Sequence, residues 1–79
     1  MTDDEIFETV RRHIGDVLPL VETDAIRIDQ SMRELGANSI DRMDVVIGVQ
    51  DELGIAIPSD HLAGVHDIRS LVDVLREHL

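Results

Sequence analysis

Seventy-nine residues with no cysteine, and 17 acidic side chains against 7 arginines with no lysine, give a formal charge of −10. A chain of this length makes one domain that buries only ~60–65% of its unfolded surface, and it has no disulfide, thiolate metal site or cysteine nucleophile. The negative field repels nucleic acid and anionic membranes and attracts proteins with basic docking patches.

The start, Met1-Thr2-Asp3-Asp4-Glu5, is acidic and lacks the basic and apolar segments of a signal peptide. No apolar run approaches the ~20 residues that cross a bilayer, so a soluble cytoplasmic protein is expected. Thr2-x-x-Glu5 has capping-box spacing. Ile6, Val10, Ile14 and Val17, with Phe7 beside them, form one helical stripe, while Glu5, Glu8, Arg11, Arg12 and Asp16 mostly fall on the other side. The first helix therefore runs from about Asp3 to Val17, stopped by Pro19. With Phe7 as the only aromatic residue, the core is built from Ile, Leu, Val and Met.

Pro19 to Asn38 form a long connection, which is uncommon unless it is pinned or functional. Val21, Ile26, Ile28, Met32 and Leu35 supply the pins, and Ser31-x-x-Glu34 can start a single helical turn. Ile26-x-Ile28 lacks a partner strand, so an apolar-pinned loop is the preferred reading. A second helix starts at Ser39 and ends near Leu53, with Gly54 as the stop signal. Ile40, Met43, Val46, Ile47, Gln50 and Leu53 keep its period. The β-branched run Val45-Val46-Ile47 favours a strand, but the flanks Asp41-Arg42-Met43-Asp44 and Gln50-Asp51-Glu52 continue the helical pattern. Pro58-Ser59-Asp60 opens a short turn through Ala63 to Gly64. Asp67 caps a last helix with apolar residues at Ile68, Leu71, Val72, Leu75 and Leu79. The expected fold is all-α: a small bundle of three main helices plus one short helix, with a long first loop.

Chemistry concentrates in Leu35-Gly36-Ala37-Asn38-Ser39-Ile40-Asp41-Arg42-Met43, where one hydroxyl stands at the passage from a glycine-hinged loop into a helix. A helix start offers unpaired N–H groups and the positive end of the macrodipole, which suits a phosphate attached there. Asn38 can cap the helix through its side-chain oxygen and leave the Ser39 hydroxyl free to point outward, and Gly36 gives the chain the freedom to enter at the required angle.

The run resembles the modification site of acyl carrier proteins, where a Leu-Gly-x-Asp-Ser-Leu core precedes an amphipathic helix. Asp29, Met32, Leu35 and Gly36 fit the approach, Gly54-Ile55-x-Ile57-Pro58 fits the segment after that helix, and Asp67-Ile68-x-x-Leu71-Val72-x-x-Leu75 fits the last helix. The resemblance implies an acyl-carrier-like bundle that catalyses nothing itself. The resemblance also implies 4'-phosphopantetheine esterified to Ser39, with its thiol holding acyl groups as thioesters. It implies a phosphopantetheinyl transferase as the modifying partner. Asp41, Asp44, Asp51 and Glu52 match the acidic surface that docks on basic patches of acyltransferases and synthases. Ile40 and Val45 are candidate apolar contacts within that face, and Arg42 interrupts it and tunes partner choice.

Asn38 departs from the family's usual Asp and removes a negative charge beside the phosphate. Gly-Ala-Asn-Ser-Ile-Asp is most similar to discrete carriers of bacterial polyketide pathways, in particular those serving an HMG-synthase-like enzyme that installs β-branches. A peptidyl or aminoacyl carrier, a fatty-acid carrier, and an unmodified helical adaptor acting through its acidic face remain alternatives. A monomer is expected, since each apolar stripe can be satisfied within the bundle. His13, His61, His66 and His78 have no metal-site spacing, and a serine hydrolase lacks its Gly-x-Ser-x-Gly elbow here.

Overall fold

A computed structural model describes residues 1–79. The chain forms helix α1 (Asp3–Val17), a 3₁₀ turn at Thr23–Ala25, α2 (Ser39–Leu53), the short α3 (Ser59–Leu62) and α4 (Ile68–Glu77), with no strand. The expected caps of all three main helices close. Glu5 N–H donates to Thr2 Oγ1 at 3.2 Å while Thr2 N–H donates to Glu5 Oε1 at 2.9 Å, and the bond from Thr2 N–H holds the Glu5 carboxyl below its ordinary range. Asp67 Oδ1 accepts from Ser70 N–H at 2.8 Å. Gly54, at φ +68°, ends α2 in the left-handed conformation, and Ile55 N–H returns to the Gln50 carbonyl at 3.0 Å.

Both α2 and α4 pack against α1, and α3 packs against α4. Ile6, Val10 and Ile14 from α1 meet Val45 and Val49 from α2 and Ile68, Leu71, Val72 and Leu75 from α4 in one core. Phe7 stays at its margin under the Arg11 guanidinium, 4.9 Å from the ring centroid.

The long connection is pinned as expected, with Ile26 and Met32 buried and Val21, Ile28 and Leu35 packed partly against the core. Ser31 and Glu34 bond across one turn. The 3₁₀ turn at Thr23–Ala25 is an addition. What Ile26-x-Ile28 lacks as a strand it gains from a helix end. The Ile28 carbonyl accepts from Arg69 N–H at 2.8 Å and the Gln30 carbonyl from Ile68 N–H at 2.9 Å. The loop thus supplies partners for the N–H groups that a helix start leaves unmet.

One expectation is corrected. Val45, a candidate contact of the docking face, is fully buried with Val49. Ile40 is exposed as expected for such a contact, and Met43 and Ile47 of the period-keeping row face solvent with it (72%, 63% and 49% exposed for Ile40, Met43 and Ile47). The helix carries two apolar stripes, and at 3.6 residues per turn either one satisfies the pattern. The row Val45-Val49-Leu53, four apart, won because it faces α1. Val45 is therefore core rather than a docking contact.

The α1–α2 contact carries an ionic clamp. Arg12 Nη1 and Nη2 donate to the two carboxylate oxygens of Glu52 at 2.7 and 2.8 Å, and His13 Nε2 lies 2.9 Å from Glu52 Oε1. The His13 ring fits because residue 48 is glycine: a Cβ there would stand 2.7 Å from His13 Nδ1.

The core predicts its own asymmetry. Leu71→Ala should cost about 2–5 kcal/mol, whereas Ile40→Ala should stay within about 0.5 kcal/mol; urea denaturation of the two variants reads the difference. The clamp predicts an acid dependence. The Arg12 and His13 bonds lower the Glu52 pKa from 4.5 to about 2. Because the folded-state value is depressed, this contribution is complete above pH 4.5 and is lost as pH falls towards 2. The stability gap between the protein and Glu52→Gln should narrow over that window in a melting series, and a constant gap would contradict the clamp.

Candidate functional site

Three residues set the start of α2. Met32 and Ala37 are buried and fix the approach from the loop side. Between them the chain turns at Gly36, whose φ of +96° strains any residue with a Cβ. Ala37 N–H donates to the Met32 carbonyl at 3.1 Å, closing that turn.

Asn38 then caps. Its Oδ1 accepts from Asp41 N–H at 2.8 Å, and Asp41 Oδ2 accepts from Asn38 N–H at 3.1 Å. Arg42 N–H bonds to the Asn38 carbonyl at 3.0 Å. Ser39 and Ile40, the first two residues of the helix, keep N–H groups with no acceptor in the protein. At the start of α4 the loop carbonyls of Ile28 and Gln30 fill the two corresponding places. The start of α2 thus presents free donors, a dipole end and an exposed hydroxyl together.

The Ser39 hydroxyl makes one contact, from Arg42 Nη2 at 3.4 Å, while Arg42 Nη1 reaches the Ala37 carbonyl at 3.5 Å. Beside this point an open groove of about 780 Å³ runs between α2 and the segment from α3 to α4. Ser39, Arg42, Met43, Val46, Leu62 and Val65 are among its walls. Hydroxyl, guanidinium, unpaired N–H groups and an adjoining partly apolar groove form a chemically consistent seat for a phosphodiester with a flexible tail.

The residues expected to make a docking surface divide. Ile40, Asp44 and Asp51 are exposed on one side of α2, together with Met43 and Ile47. Asp41 is half-buried and engaged in the cap. Glu52 belongs to the clamp with α1, and Val45 is interior. Met43 and Ile47 were missed as surface residues because their spacing suited a core stripe. The signal was present: a 15-residue helix with apolar residues on two sides cannot bury both against a single neighbour.

The histidines are not all scattered. His61 Nδ1 lies 3.2 Å from His78 Nε2, and His78 Nδ1 lies 2.9 Å from the Val74 carbonyl. No three His, Cys, Asp or Glu side chains gather as metal ligands.

Comparison with known proteins agrees with this geometry. The family model described as the phosphopantetheine attachment site matches residues 8–75. A polyketide biosynthesis acyl-carrier protein, AcpK, of Bacillus subtilis (strain 168) is 35% identical over 75 residues, spanning 95% of this chain and 92% of the relative. An acyl carrier protein of Petrotoga mobilis is 32% identical over 80 residues, spanning 100% of this chain and 93% of the relative. Among solved structures, a chain from the complex of the curacin-pathway HMG synthase with its acetyl donor-ACP is similar at TM-score 0.86. It is 24% identical, with 95% of this chain and 96% of that chain covered, and this likeness establishes the fold.

The cap is testable apart from any modification. Asn38→Ala should lower stability by about 1 kcal/mol, and Asn38→Asp should keep the bond to Asp41 N–H and lose little. Thermal melts of the two variants distinguish a cap from a neutral loop residue, for which both changes would be silent.

Proposed function

We infer the role of this protein from its family, since the chain belongs to the acyl carrier proteins that bear phosphopantetheine. Ser39 is the attachment point, and residues 1–79 act as one carrier domain. The observation that carries this reading is the outward Ser39 hydroxyl in the first turn of α2, beside N–H groups without partners. Asn38 occupies the donor that the serine would otherwise serve, and Gly36 sets the entry angle.

A phosphopantetheinyl transferase uses the Ser39 oxygen as the nucleophile. A P–O bond forms at Oγ as the pyrophosphate bond of coenzyme A breaks, the nucleotide leaves with the other phosphate, and the hydroxyl proton passes to a base on the transferase. Once bound, 4'-phosphopantetheine supplies a terminal thiol for acyl thioesters. The chain's own part is to hold the root of the arm, leave its tail mobile, and give docked enzymes a high local concentration of substrate.

The docking face is the exposed side of α2. Ile40, Met43 and Ile47 provide apolar contact, and Asp44 and Asp51 provide charge for basic patches. Arg42 and Asp41 lie at its edge by the serine. Glu52, held by Arg12 and His13, contributes through the α1–α2 clamp and not as a free charge.

The pathway reading is polyketide biosynthesis with a β-branching role. Similarity to a polyketide carrier of Bacillus subtilis supports it, as does the likeness in fold to a donor carrier complexed with an HMG synthase. The partners are then acyltransferase, ketosynthase and HMG-synthase-like enzymes in the cytoplasm, met by a monomer. No helix is long and apolar enough to cross a membrane.

Incubation with coenzyme A and a promiscuous transferase should add one phosphopantetheinyl mass to the intact protein and none to Ser39→Ala. An adduct that survives Ser39→Ala, or no adduct at all, overturns the attachment. Loading then separates the carrier classes: acetyl or malonyl donors should charge the arm, and charging by aminoacyl donors alone would make this a peptidyl carrier.

A further inference from the structure

Arg42 stands out from the other arginines. Arg11, Arg12, Arg27 and Arg76 each pair with a carboxylate, and Arg33, Arg42 and Arg69 pair with none. In a chain carrying 17 acidic residues and a charge of −10, a half-buried arginine without a carboxylate partner is unexpected. Its contacts are with the Ala37 carbonyl at 3.5 Å and Ser39 Oγ at 3.4 Å. Both distances lie at the long limit of hydrogen bonding and both acceptors are uncharged. The nearby acid Asp41 is engaged with Asn38 N–H. The cation is therefore held against the serine by weak bonds, with donors to spare.

We propose that Arg42 is a positioning residue for the arm: its guanidinium clamps the Ser39-linked phosphodiester and sets the root of the arm towards the groove beside α2. The inference rests on Ser39 as the attachment point. Esterification turns Oγ into a bridging oxygen, a poorer acceptor, and places two charged non-bridging oxygens one bond beyond it. A guanidinium prefers such a pair, which it can meet with two parallel N–H donors. The exchange of two long neutral contacts for charge-assisted ones makes modification favourable for Arg42. The free N–H groups of Ser39 and Ile40 add to the same field. Asn38 fits this arrangement as well. Being neutral, it caps the helix without a second anion that would compete for Arg42.

Direction comes from placement. Arg42 lines the groove together with Met43 and Val46, so a phosphodiester bound to it leaves the arm rooted on the groove side of α2. Ile40, Asp44 and Asp51, which are exposed and do not line the groove, are then left open to partner enzymes. Arg33 also lines the groove and has no ion pair, but it makes no contact with Ser39, which makes it the natural control.

The test uses the full chain carrying its arm, observed by ³¹P NMR, with intact mass as the check on attachment. In the modified protein the phosphodiester resonance should relax with the folded domain, and the Arg42 side-chain N–H signals should shift between unmodified and modified forms. Arg42→Gln should lower the clamped population about threefold, the scale of a partly exposed charge pair, and the ³¹P line should narrow. Arg42→Lys should lie between, since it keeps the charge without the fork. Arg33→Gln should match the parent, and circular dichroism should show all variants folded. An arm that attaches but gives the same ³¹P relaxation in Arg42→Gln as in the parent overturns the clamp and leaves Ser39 as the attachment point. Failure of the parent to gain the arm overturns the attachment itself, and the clamp with it.

Discussion

The geometry at the start of α2 depends on one hydrogen bond, from Asp41 N–H to Asn38 Oδ1. A helix start must satisfy its exposed donors, and a serine in that place would normally lend its own oxygen to the task. Because the preceding residue takes the capping position, Ser39 enters the first turn with its hydroxyl outside the backbone network. The same arrangement leaves two N–H groups unmatched. Capping and exposure are therefore one device: the bond that stabilises α2 also leaves its first hydroxyl available for chemistry.

The rest of the molecule holds that helix end still. Ile26 and Met32 bury the loop that leads to it. The carbonyls of Ile28 and Gln30 tie the same loop to the start of α4, and Val45 and Val49 lock α2 to α1. Arg12, His13 and Glu52 fasten the far end of α2, where Gly48 leaves space for an imidazole ring. A carrier needs this division: a fixed root, so that an enzyme meets the same surface each time, and a tail free to move.

Charge is distributed with similar economy. Three of the seven arginines are engaged in ion pairs between or within helices and a fourth, Arg27, pairs within the long loop, leaving a negative surface that favours basic partners. On α2 that surface is not uniformly acidic. An apolar strip lies between its acids, and the cation at position 42 sits beside the serine. Apolar area gives contact strength, acids give orientation, and the local positive region at the helix start suits a phosphate.

Helix boundaries were legible in the residues because each is set by local chemistry: Thr2 with Glu5, Asn38 before Ser39, Gly54 after Leu53, Asp67 with Ser70. The local geometry of the candidate site was legible for the same reason, since its hydroxyl, cap and hinge lie within four consecutive residues. The faces of α2 were not. Ile40, Met43 and Ile47 repeat as regularly as Val45 and Val49, and nothing local tells which row meets another helix. The docking of α2 on α1 decided that question, sending Val45 inward and Met43 outward, and it drew Glu52 into a clamp with residues some forty positions away. The sequence alone determined where helices begin and which hydroxyl stands at a helix start, because caps act over three or four residues. Only the tertiary structure decided which side of a doubly apolar helix is buried and which acids remain free, because burial depends on neighbours that are remote along the chain.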